Sequence, residues 1–196
     1  MPESLDPYLY PGTDVLRNLP GLHDLEQLAA FEANVCSARL IQLGVDPMKG
    51  KFDVTHLKSI HRFIFQDVFS WAGQFRTVNI SKDGQLFGLP RFLEPALSVV
   101  FNKLAAEEHL AGLDREAFAE RAGYYLGEVN AVHPFREGNG RAQREFFREL
   151  ALGSGHRILW SRITSQQIMT EASIQSFRYG RSQGLADLIW ECILPK

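Results

Sequence analysis

Apolar residues recur at intervals of three and four positions along most of the chain, the spacing that places them on one face of an α-helix. The pattern appears in seven stretches, which cover residues 25–35, 57–68, 93–104, 118–129, 142–152, 165–176 and 185–193. Each stretch is long enough to pack one apolar face against a neighbouring element. We therefore predict a mainly α fold, built as a bundle of amphipathic helices.

One segment departs from the helical spacing. Residues 75–81 alternate in side-chain type, and Lys82-Asp83-Gly84 supplies a turn before Leu86 and Phe87. Alternation with a period of two is typical of a β-strand, and a polar turn containing glycine can join the two strands of a hairpin. The sequence therefore predicts a short β-hairpin among the helices. Most short polar hairpins are simple connections, which is the structural alternative to a functional role.

The chain is long enough to fold around a core of its own. Its 196 residues, of which 45% are hydrophobic, can bury that core without disulfide bonds. We expect a single compact unit in which residues 1–50 form an N-terminal helical lobe packed on residues 51–196. Cys36 and Cys192 have no neighbouring Cys or His at zinc-binding spacing, so we interpret both as buried apolar side chains.

Charge and hydropathy limit the partners of the protein. With 21 basic and 23 acidic residues the net charge is -2, which gives no overall attraction to nucleic acid or to an anionic membrane. No window approaches about 18 uninterrupted apolar residues, and the first residues are polar rather than basic and then apolar. We expect a cytoplasmic protein that binds neither membrane nor nucleic acid, so any phosphate binding must be local.

The strongest chemical signal lies in residues 133–144, which read HPFREGNGRAQR. Pro134 is hard to place inside a helix, so the preceding helix should end near His133, and the helical pattern resumes at Ala142. Between these points, Gly138-Asn139-Gly140 lets the backbone turn sharply and presents the unpaired N–H groups of a starting helix. Such a loop is suited to bind an anion.

Four side chains around this loop fit phosphate chemistry. Arg141 and Arg144 lie three positions apart on the starting helix and can both bind phosphate oxygens. Glu137 alone would repel phosphates, but it becomes favourable when a Mg²⁺ ion lies between carboxylate and phosphate. His133 can take up a proton near neutral pH, as the base that activates a hydroxyl must. Each residue alone is most often structural, whereas their combination in one short run favours a phosphate-handling site.

Residues 133–144 also match the Fic motif HPFx(D/E)GNGRxxR at every specified position, so the chain resembles the Fic family. Residues 57–77 are similar to the helix and Trp-Ala-Gly segment that precede the family's flap, and residues 78–87 are similar to the flap itself. Residues 6–16 resemble the start of compact bacterial Fic toxins of the stand-alone type. The resemblance implies a Fic fold, a helical bundle with a short β-hairpin flap beside the active site.

The resemblance implies a role for each motif residue in the transfer of AMP from ATP. His133 would be the catalytic base that deprotonates the target hydroxyl, and Glu137 would hold Mg²⁺ on the α and β phosphates. The nucleotide-binding residues would be Phe135, Gly138, Asn139, Gly140, Arg141 and Arg144. Among them Arg144 would position the γ-phosphate, and Phe135 would also keep a core role. The target oxygen would attack the α-phosphorus, and pyrophosphate would leave.

By the same resemblance, the flap would dock the target protein. Its edge strand would offer unpaired backbone groups to an extended segment of the target, and so hold the target hydroxyl over the base by strand addition. The residues assigned to this docking flap are Thr77, Val78, Asn79, Ile80, Ser81, Lys82 and Asp83. The first five would set the register of the target, whereas Lys82 and Asp83 at the tip could also touch the nucleotide.

Adenine contacts are left unassigned by the sequence. Residues 171–185 lie where the family packs against adenine, but they differ from it in composition because Phe177, Arg178, Tyr179 and Arg181 are crowded together. Trp71 we interpret as a packing residue where the preceding helix meets the hairpin.

The compact toxin group suggests targets and a regulator. The resemblance implies modification of a tyrosine hydroxyl on the ATPase subunits of DNA gyrase and topoisomerase IV. Many Fic proteins carry an inhibitory helix with the pattern (S/T)xxxE(G/N). Here Glu137 is the only glutamate followed by Gly or Asn, and His133 stands four positions before it. We therefore expect a separate small antitoxin protein that supplies an inhibitory Glu to Arg144.

Two other functions remain open from the sequence. One is a Fic-type transferase of another phosphate-containing group, such as phosphocholine, UMP or phosphate. Phosphate transfer is disfavoured because the kinase-like branch departs from Gly-Asn-Gly, which is intact here. The other is a catalytically silent helical module that keeps the loop as an anion-binding interface. His133 and Glu137 disfavour that module, since binding alone needs neither a base nor a metal-holding acid.

Overall fold

The structure is a computed structural model that describes residues 6–82 and 84–195. Within these residues the chain forms seven α-helices and one two-stranded antiparallel sheet. The helices are α1 (Leu25–Val45), α2 (Val54–Phe65), α3 (Leu93–Ala106), α4 (Arg115–Val132), α5 (Asn139–Gly153), α6 (Gln166–Tyr179) and α7 (Gln183–Cys192). The strands are β1 (Ser81–Lys82) and β2 (Gln85–Leu86). The prediction of a mainly helical fold with a short hairpin is confirmed.

Three aspartates determine where helices begin. The carboxylates of Asp24, Asp53 and Asp114 accept N–H hydrogen bonds at 2.9, 2.8 and 2.9 Å from the third residues of α1, α2 and α4. Each of these N-caps pairs a donor that the helix itself cannot satisfy, and contributes about 1 kcal/mol. The cap of α4 matters most for function, since α4 runs directly into the predicted catalytic loop.

Helix α4 is central to the packing. It contacts α3, α5, α6 and α7, while α2 packs against α5. The approach of α4 to α7 is close because Gly123 carries no side chain. A Cβ at that position would lie 2.6 Å from the backbone nitrogen of Ala186. The segment between α4 and α5 is thereby held at the junction of two well-packed helices.

The N-terminal part of the chain is tied to the remainder through α1. This helix buries Leu28, Cys36 and Leu43 and packs against α2. Cys192 is buried as well, and both cysteines are free, as expected for apolar core side chains. The division into a lobe of residues 1–50 and a core of residues 51–196 stays a prediction. No helix in the described ranges is both long and apolar enough to cross a membrane.

The hairpin is shorter than the sequence pattern predicts. Only Ser81 and Lys82 pair with Leu86 and Gln85, so Lys82 lies in a strand rather than in the turn. Residues 75–80 do not form a strand because other partners use their backbone groups. The N–H of Arg76 donates to the Pro134 carbonyl at 3.0 Å, and the N–H of Thr77 donates to the Tyr8 hydroxyl at 3.1 Å.

Candidate active site

The predicted catalytic loop lies between two helix ends. Helix α4 ends at Val132, and His133 follows in the left-handed region with φ 48° and ψ 63°. Gly138, with φ 80°, is the N-cap of α5, which begins at Asn139. The predicted helix end near His133 therefore agrees with the structure, whereas α5 begins within the Gly-Asn-Gly turn, three residues before the predicted Ala142. A left-handed non-glycine residue at a functional position is a strained conformation that its surroundings must hold.

The side chain of Asn139 braces this loop from inside. It is only 4% exposed. Its Oδ1 accepts from the Phe135 N–H at 2.9 Å, and its Nδ2 donates to the Phe135 carbonyl at 2.7 Å. An anion at the start of α5 would therefore contact the backbone N–H of Asn139 and not its side-chain amide. The expected anion hole of Gly138, Asn139 and Gly140 is one of main-chain donors.

Phe135 is predicted to contact nucleotide. Its ring is fully buried and stacks on the imidazole of His61, with ring centroids 3.8 Å apart. The ring therefore supports the loop from below, which is the core role that the sequence also allowed. Its nucleotide contact stays a prediction.

His61 was not predicted and is part of the same support. Its Nδ1 accepts from the Gly73 N–H at 2.9 Å, so its Nε2 carries the proton and donates to the Glu137 carbonyl at 3.0 Å. The ring thus connects the Trp-Ala-Gly segment to the catalytic loop. In the sequence, a single histidine on an apolar helix face gives no signal that distinguishes this role from ordinary packing.

The protonation of His61 predicts how stability depends on pH. Burial lowers the pKa of His61 from 6.5 to about 4, although its bond to the Glu137 backbone opposes that decrease. Between these values the unfolded chain binds more protons, so the free energy of unfolding falls as pH drops from about 6.5 toward 4. We expect His61→Gln to flatten this dependence by up to about 1.4 kcal/mol per pH unit. Urea titrations of both proteins across that range measure the slopes, and equal slopes would contradict the assignment.

His133 lines a cavity between the loop and α6. Its imidazole stacks on Phe87, with ring centroids 4.1 Å apart. Burial lowers the pKa of His133 to about 4; the backbone of Asn130 opposes the decrease, while the charges of Arg76 and Lys82 add to it. Nδ1 is buried and makes no hydrogen bond of ordinary geometry with the described residues. The ring is therefore neutral at physiological pH and able to accept a proton.

A cavity of about 290 Å³ joins the loop to α6. One wall holds the catalytic-loop residues His133, Glu137 and Gly138–Gly140, and Lys82 and Phe87 contribute from the flap. The opposite wall belongs to α6 and contains Met169, Thr170, Ser173, Ile174, Phe177 and Arg178. The sequence left this wall unassigned, since helical spacing alone does not show which face of α6 meets the loop.

Arg144 is one of the cations that line this cavity, and it adjoins the start of α5. A Cβ on Gly140 would lie 3.2 Å from its Nη1, so the guanidinium lies beside the start of α5. Burial and the neighbouring charge of Arg141 lower the pKa of Arg144. In the part of the chain that the structure describes, its guanidinium makes no hydrogen bond or ion pair. A half-buried cation without a partner is ready to accept an anion.

Arg141 differs from Arg144 in its surroundings. Its Nη2 lies 2.5 Å from Glu32 on α1 and 3.4 Å from Glu137, and its guanidinium lies over the ring of Phe65. It lines a second, adjacent cavity together with Arg144 but not the one that contains His133. The two arginines were predicted to act together from one side, whereas the structure turns Arg141 toward α1. Glu32 gave no signal in the sequence.

Glu137 offers the acidic group of the site. Its side chain is 43% exposed, and its Oε1 accepts from the Gly138 N–H at 2.8 Å. No group of three or more His, Cys, Asp or Glu that could enclose a metal occurs among the described residues. Any metal here would therefore need ligands from a bound molecule or from water.

The predicted docking flap is partly engaged by the protein itself. The N–H of Thr77 is bound by Tyr8, the carbonyl of Val78 accepts from Arg76, and the carbonyl of Ile80 accepts from Phe87. Ser81 and Lys82 are exposed, and Lys82 also lines the cavity. Asp83 lies outside the described residues. Fewer backbone groups of this segment are free than a fully open edge strand would offer.

Arg76 is a third residue that the sequence did not reveal, after His61 and Glu32. It is 2% exposed and lies between the Trp-Ala-Gly segment and the flap. Its guanidinium donates to backbone carbonyls of the catalytic loop and of the flap base. In the sequence it is one residue of an alternating run, in phase with Val78 and Ile80, and that position gives no signal of this role.

Comparison with known proteins places this geometry in a family. The family model described as Fic/DOC matches residues 51–151. The protein adenylyltransferase VbhT of Bartonella schoenbuchensis is 46% identical over 186 residues, which cover 95% of this chain and 38% of VbhT. The probable protein adenylyltransferase Fic of Salmonella typhimurium is 42% identical over 163 residues, or 82% of this chain and 80% of that protein. The chain thus spans well under half of VbhT.

Solved structures give the same result. BepC of Bartonella tribocorum with bound AMPPNP has a TM-score of 0.88 and 29% identity, with 96% of this chain and 97% of that chain covered. The N-terminal Fic domain of a cell filamentation protein from Bartonella quintana, with bound ADP, has a TM-score of 0.90 and 28% identity, with 96% and 95% covered. The matched family model, the sequence relatives and these folds agree. This chain belongs to the Fic/DOC family.

Proposed function

We propose that the protein is an adenylyltransferase that moves AMP from ATP to a hydroxyl group of another protein. One observation carries the proposal: a neutral histidine, the amide donors of a helix start and an unpaired arginine all open onto the same cavity. Relatives of the chain are named protein adenylyltransferases, and two of its structural relatives hold AMPPNP and ADP. This supports ATP as the co-substrate.

The cavity can accept ATP in one orientation. The polyphosphate fits the start of α5, where the N–H groups of Asn139 and Gly140 and the free guanidinium of Arg144 provide the positive field. The base then lies toward α6, where Ile174 and Phe177 supply an apolar and aromatic wall. In this orientation the α-phosphorus lies between the loop and the flap, on the side of His133.

Glu137 fits the requirements of a Mg²⁺ ligand in this site. Mg²⁺ in nucleotide sites is held by one or two carboxylates together with phosphate oxygens and water. A single half-exposed carboxylate beside the anion-binding turn matches that donor set. When bound, Mg²⁺ would neutralise charge on the phosphates. The arrangement needs no further protein ligand.

His133 is suited to act as the base. In its neutral form it accepts the proton of the target hydroxyl as the oxygen forms a bond to the α-phosphorus. The bond between the α-phosphorus and the bridging oxygen of the β-phosphate breaks, and pyrophosphate leaves with the electron pair. Because the pKa of His133 lies at about 4, the base stays deprotonated throughout the physiological range.

The two motif arginines should contribute unequally to ATP affinity. We expect Arg144→Met to weaken binding about 10- to 100-fold, because a charge-assisted hydrogen bond is worth about 1.5–3 kcal/mol. Arg141→Met should weaken ATP binding less, because Arg141 is already paired with Glu32 and Glu137. Calorimetric titration with a non-hydrolysable ATP analogue and Mg²⁺ gives both affinities. Equal losses would show that the ion pairs of Arg141 do not persist in the complex.

For the target, we propose a tyrosine hydroxyl on the ATPase subunits of DNA gyrase and topoisomerase IV. The flap would hold an extended segment of the target through its remaining free backbone groups, with Ser81 and Lys82 at the exposed edge. The test is incubation of the protein with Mg²⁺ and ATP labelled at the α-phosphorus, once with the purified subunits and once with a lysate. Label on a tyrosine of either subunit would support the proposed target. Label on other lysate proteins alone would show that the target is a different protein.

For regulation, we propose that the protein is the toxin of a toxin–antitoxin pair. A small antitoxin would insert a Glu beside Arg144, whose guanidinium is unpaired in the described structure and accessible from two adjoining cavities. Such an ion pair would occupy the position that the γ-phosphate needs. Purification of the tagged protein from its own cells should recover this partner, and Arg144→Met should release it. Failure to recover any small protein would contradict the proposal.

A further inference from the structure

Arg76 makes an unusual set of contacts for a buried cation. Its Nε donates to the His133 carbonyl at 2.9 Å and its Nη1 to the Val78 carbonyl at 2.7 Å. Its Nη2 donates to the carbonyls of Gly88 and of Val132, the latter at 3.3 Å. Arg76 forms no ion pair with a carboxylate among the described residues. Backbone carbonyls therefore compensate its charge.

This burial is costly, so the contacts call for a functional explanation. Removing a guanidinium from water is unfavourable unless opposite charge or several hydrogen bonds replace the lost hydration. The bonds that replace it here go to two separate segments. One segment is the end of α4 at Val132 together with the start of the catalytic loop at His133. The carbonyls of these two residues have no hydrogen-bond donor within the helix, because the helix ends there. Val78 and Gly88 flank the two short strands of the flap.

The segment around Arg76 also fixes the orientation of the base. The Arg76 N–H donates to the Pro134 carbonyl at 3.0 Å, one residue past His133. His133 is a non-glycine residue at φ 48°, a conformation that persists only where neighbouring contacts impose it. Phe87, adjacent to the Gly88 carbonyl that Arg76 binds, stacks on the imidazole. The backbone of His133 and the face of its ring are therefore held by groups that all converge on Arg76.

We propose that Arg76 is a positioning residue, which holds His133 in its productive orientation by joining the flap base to the catalytic loop. The proposal rests on the adenylyltransferase function proposed above. Arg76 touches neither ATP nor target in this account. It acts on the rate of transfer through the geometry of the base, and it links the segment that docks the target to the residue that activates the target hydroxyl.

The test compares Arg76→Met, which removes every donor, with Arg76→Lys, which keeps the charge and up to three donors. Arg148→Met is the matched control, since Arg148 is a partly buried arginine paired with Glu145, away from the cavity. We expect Arg76→Met to lower kcat for AMP transfer about 100-fold, the scale of a small misplacement of a reacting group. The KM for ATP should change less than about threefold, because Arg76 does not line the cavity. Arg76→Lys should recover part of the rate, and Arg148→Met should lower Tm and leave kcat unchanged.

A second readout does not depend on activity. The imidazole C–H resonance of His133, identified by its loss in His133→Ala, should shift in Arg76→Met and stay in place in Arg148→Met. An unshifted resonance with an unchanged kcat would overturn the proposal and leave Arg76 a structural residue only. An inert wild-type enzyme with a shifted resonance would refute the proposed function and retain the positioning role. If Arg76→Met does not fold, Arg76→Lys supplies both readouts.

Discussion

Replacing His133 with alanine should lower the rate of AMP transfer about 10³-fold while leaving the affinity for ATP within a factor of about three. General base catalysis contributes about 10²- to 10⁴-fold, and a histidine with a pKa of about 4 carries the free electron pair that this step needs. ATP affinity is expected to persist because the phosphate donors belong to the start of α5 and to Arg144, not to the imidazole.

The measurement is the initial rate of label transfer from ATP labelled at the α-phosphorus, together with calorimetric titration of an ATP analogue. His23→Ala is the matched control, because His23 is an exposed histidine that does not line the cavity. Its rate should equal that of the wild type. A His133→Ala variant that retained more than a tenth of the wild-type rate would assign the base to another residue.

Among single methyl additions in the loop, Gly138→Ala should destabilise the fold most. Gly138 has φ +80°, and a Cβ there would lie 2.2 Å from the Phe65 ring. That ring is fully buried, so we expect it to have little room to move aside. The left-handed conformation costs a non-glycine residue about 1–2 kcal/mol, and overpacking a filled core costs about 1–3 kcal/mol. We expect a loss of about 2–5 kcal/mol from a fold whose total stability is about 5–15 kcal/mol.

Gly155→Ala separates the two causes. Gly155 has nearly the same φ, +81°, but nothing lies within 4 Å of the Cβ position. Its cost should be the backbone strain alone, about 1–2 kcal/mol. Urea unfolding of both variants measures the difference. ATP affinity should fall only in Gly138→Ala, because the clash with Phe65 would displace the start of α5 and its phosphate donors. Equal destabilisation would mean that Phe65 yields to the added methyl group.

The helices and the loop could be predicted because local rules determine them. Spaced apolar residues mark the helices, while Pro134 and Gly138 mark the interruption between α4 and α5. The identities of the loop residues also indicated phosphate chemistry, since acid, base and cations fall in one short run. None of these inferences required knowledge of which helices pack together.

The supporting contacts could not be predicted because they join residues far apart in sequence. His61 reaches Glu137 across 76 positions, and Glu32 reaches Arg141 across 109. Arg76 shows the same difficulty, since its partners at Val132 and His133 become neighbours only when the flap folds back on the loop. The predicted strand over residues 75–80 failed for this reason, as tertiary partners took the backbone groups that a longer hairpin would have paired.

The directions of the motif side chains also could not be predicted from the sequence. The family resemblance implied that Phe135 binds nucleotide, and the spacing of Arg141 and Arg144 predicted that both act from one side. The ring of Phe135 is buried below the loop, and Glu32 draws Arg141 toward α1. A motif states which residues occur together, whereas the direction of each side chain depends on what packs around it.

The most direct test of the central claim is which part of ATP reaches the target. Purified protein with Mg²⁺ and lysate is given ATP labelled at the α-phosphorus in one reaction and at the γ-phosphorus in the other, with His133→Ala in parallel. The account predicts a protein band labelled from the α position only, together with labelled pyrophosphate from the γ position, and neither with His133→Ala. Label on protein from the γ position would show phosphate transfer. The absence of label from both positions, with ATP binding intact, would contradict the enzyme and leave an anion-binding module.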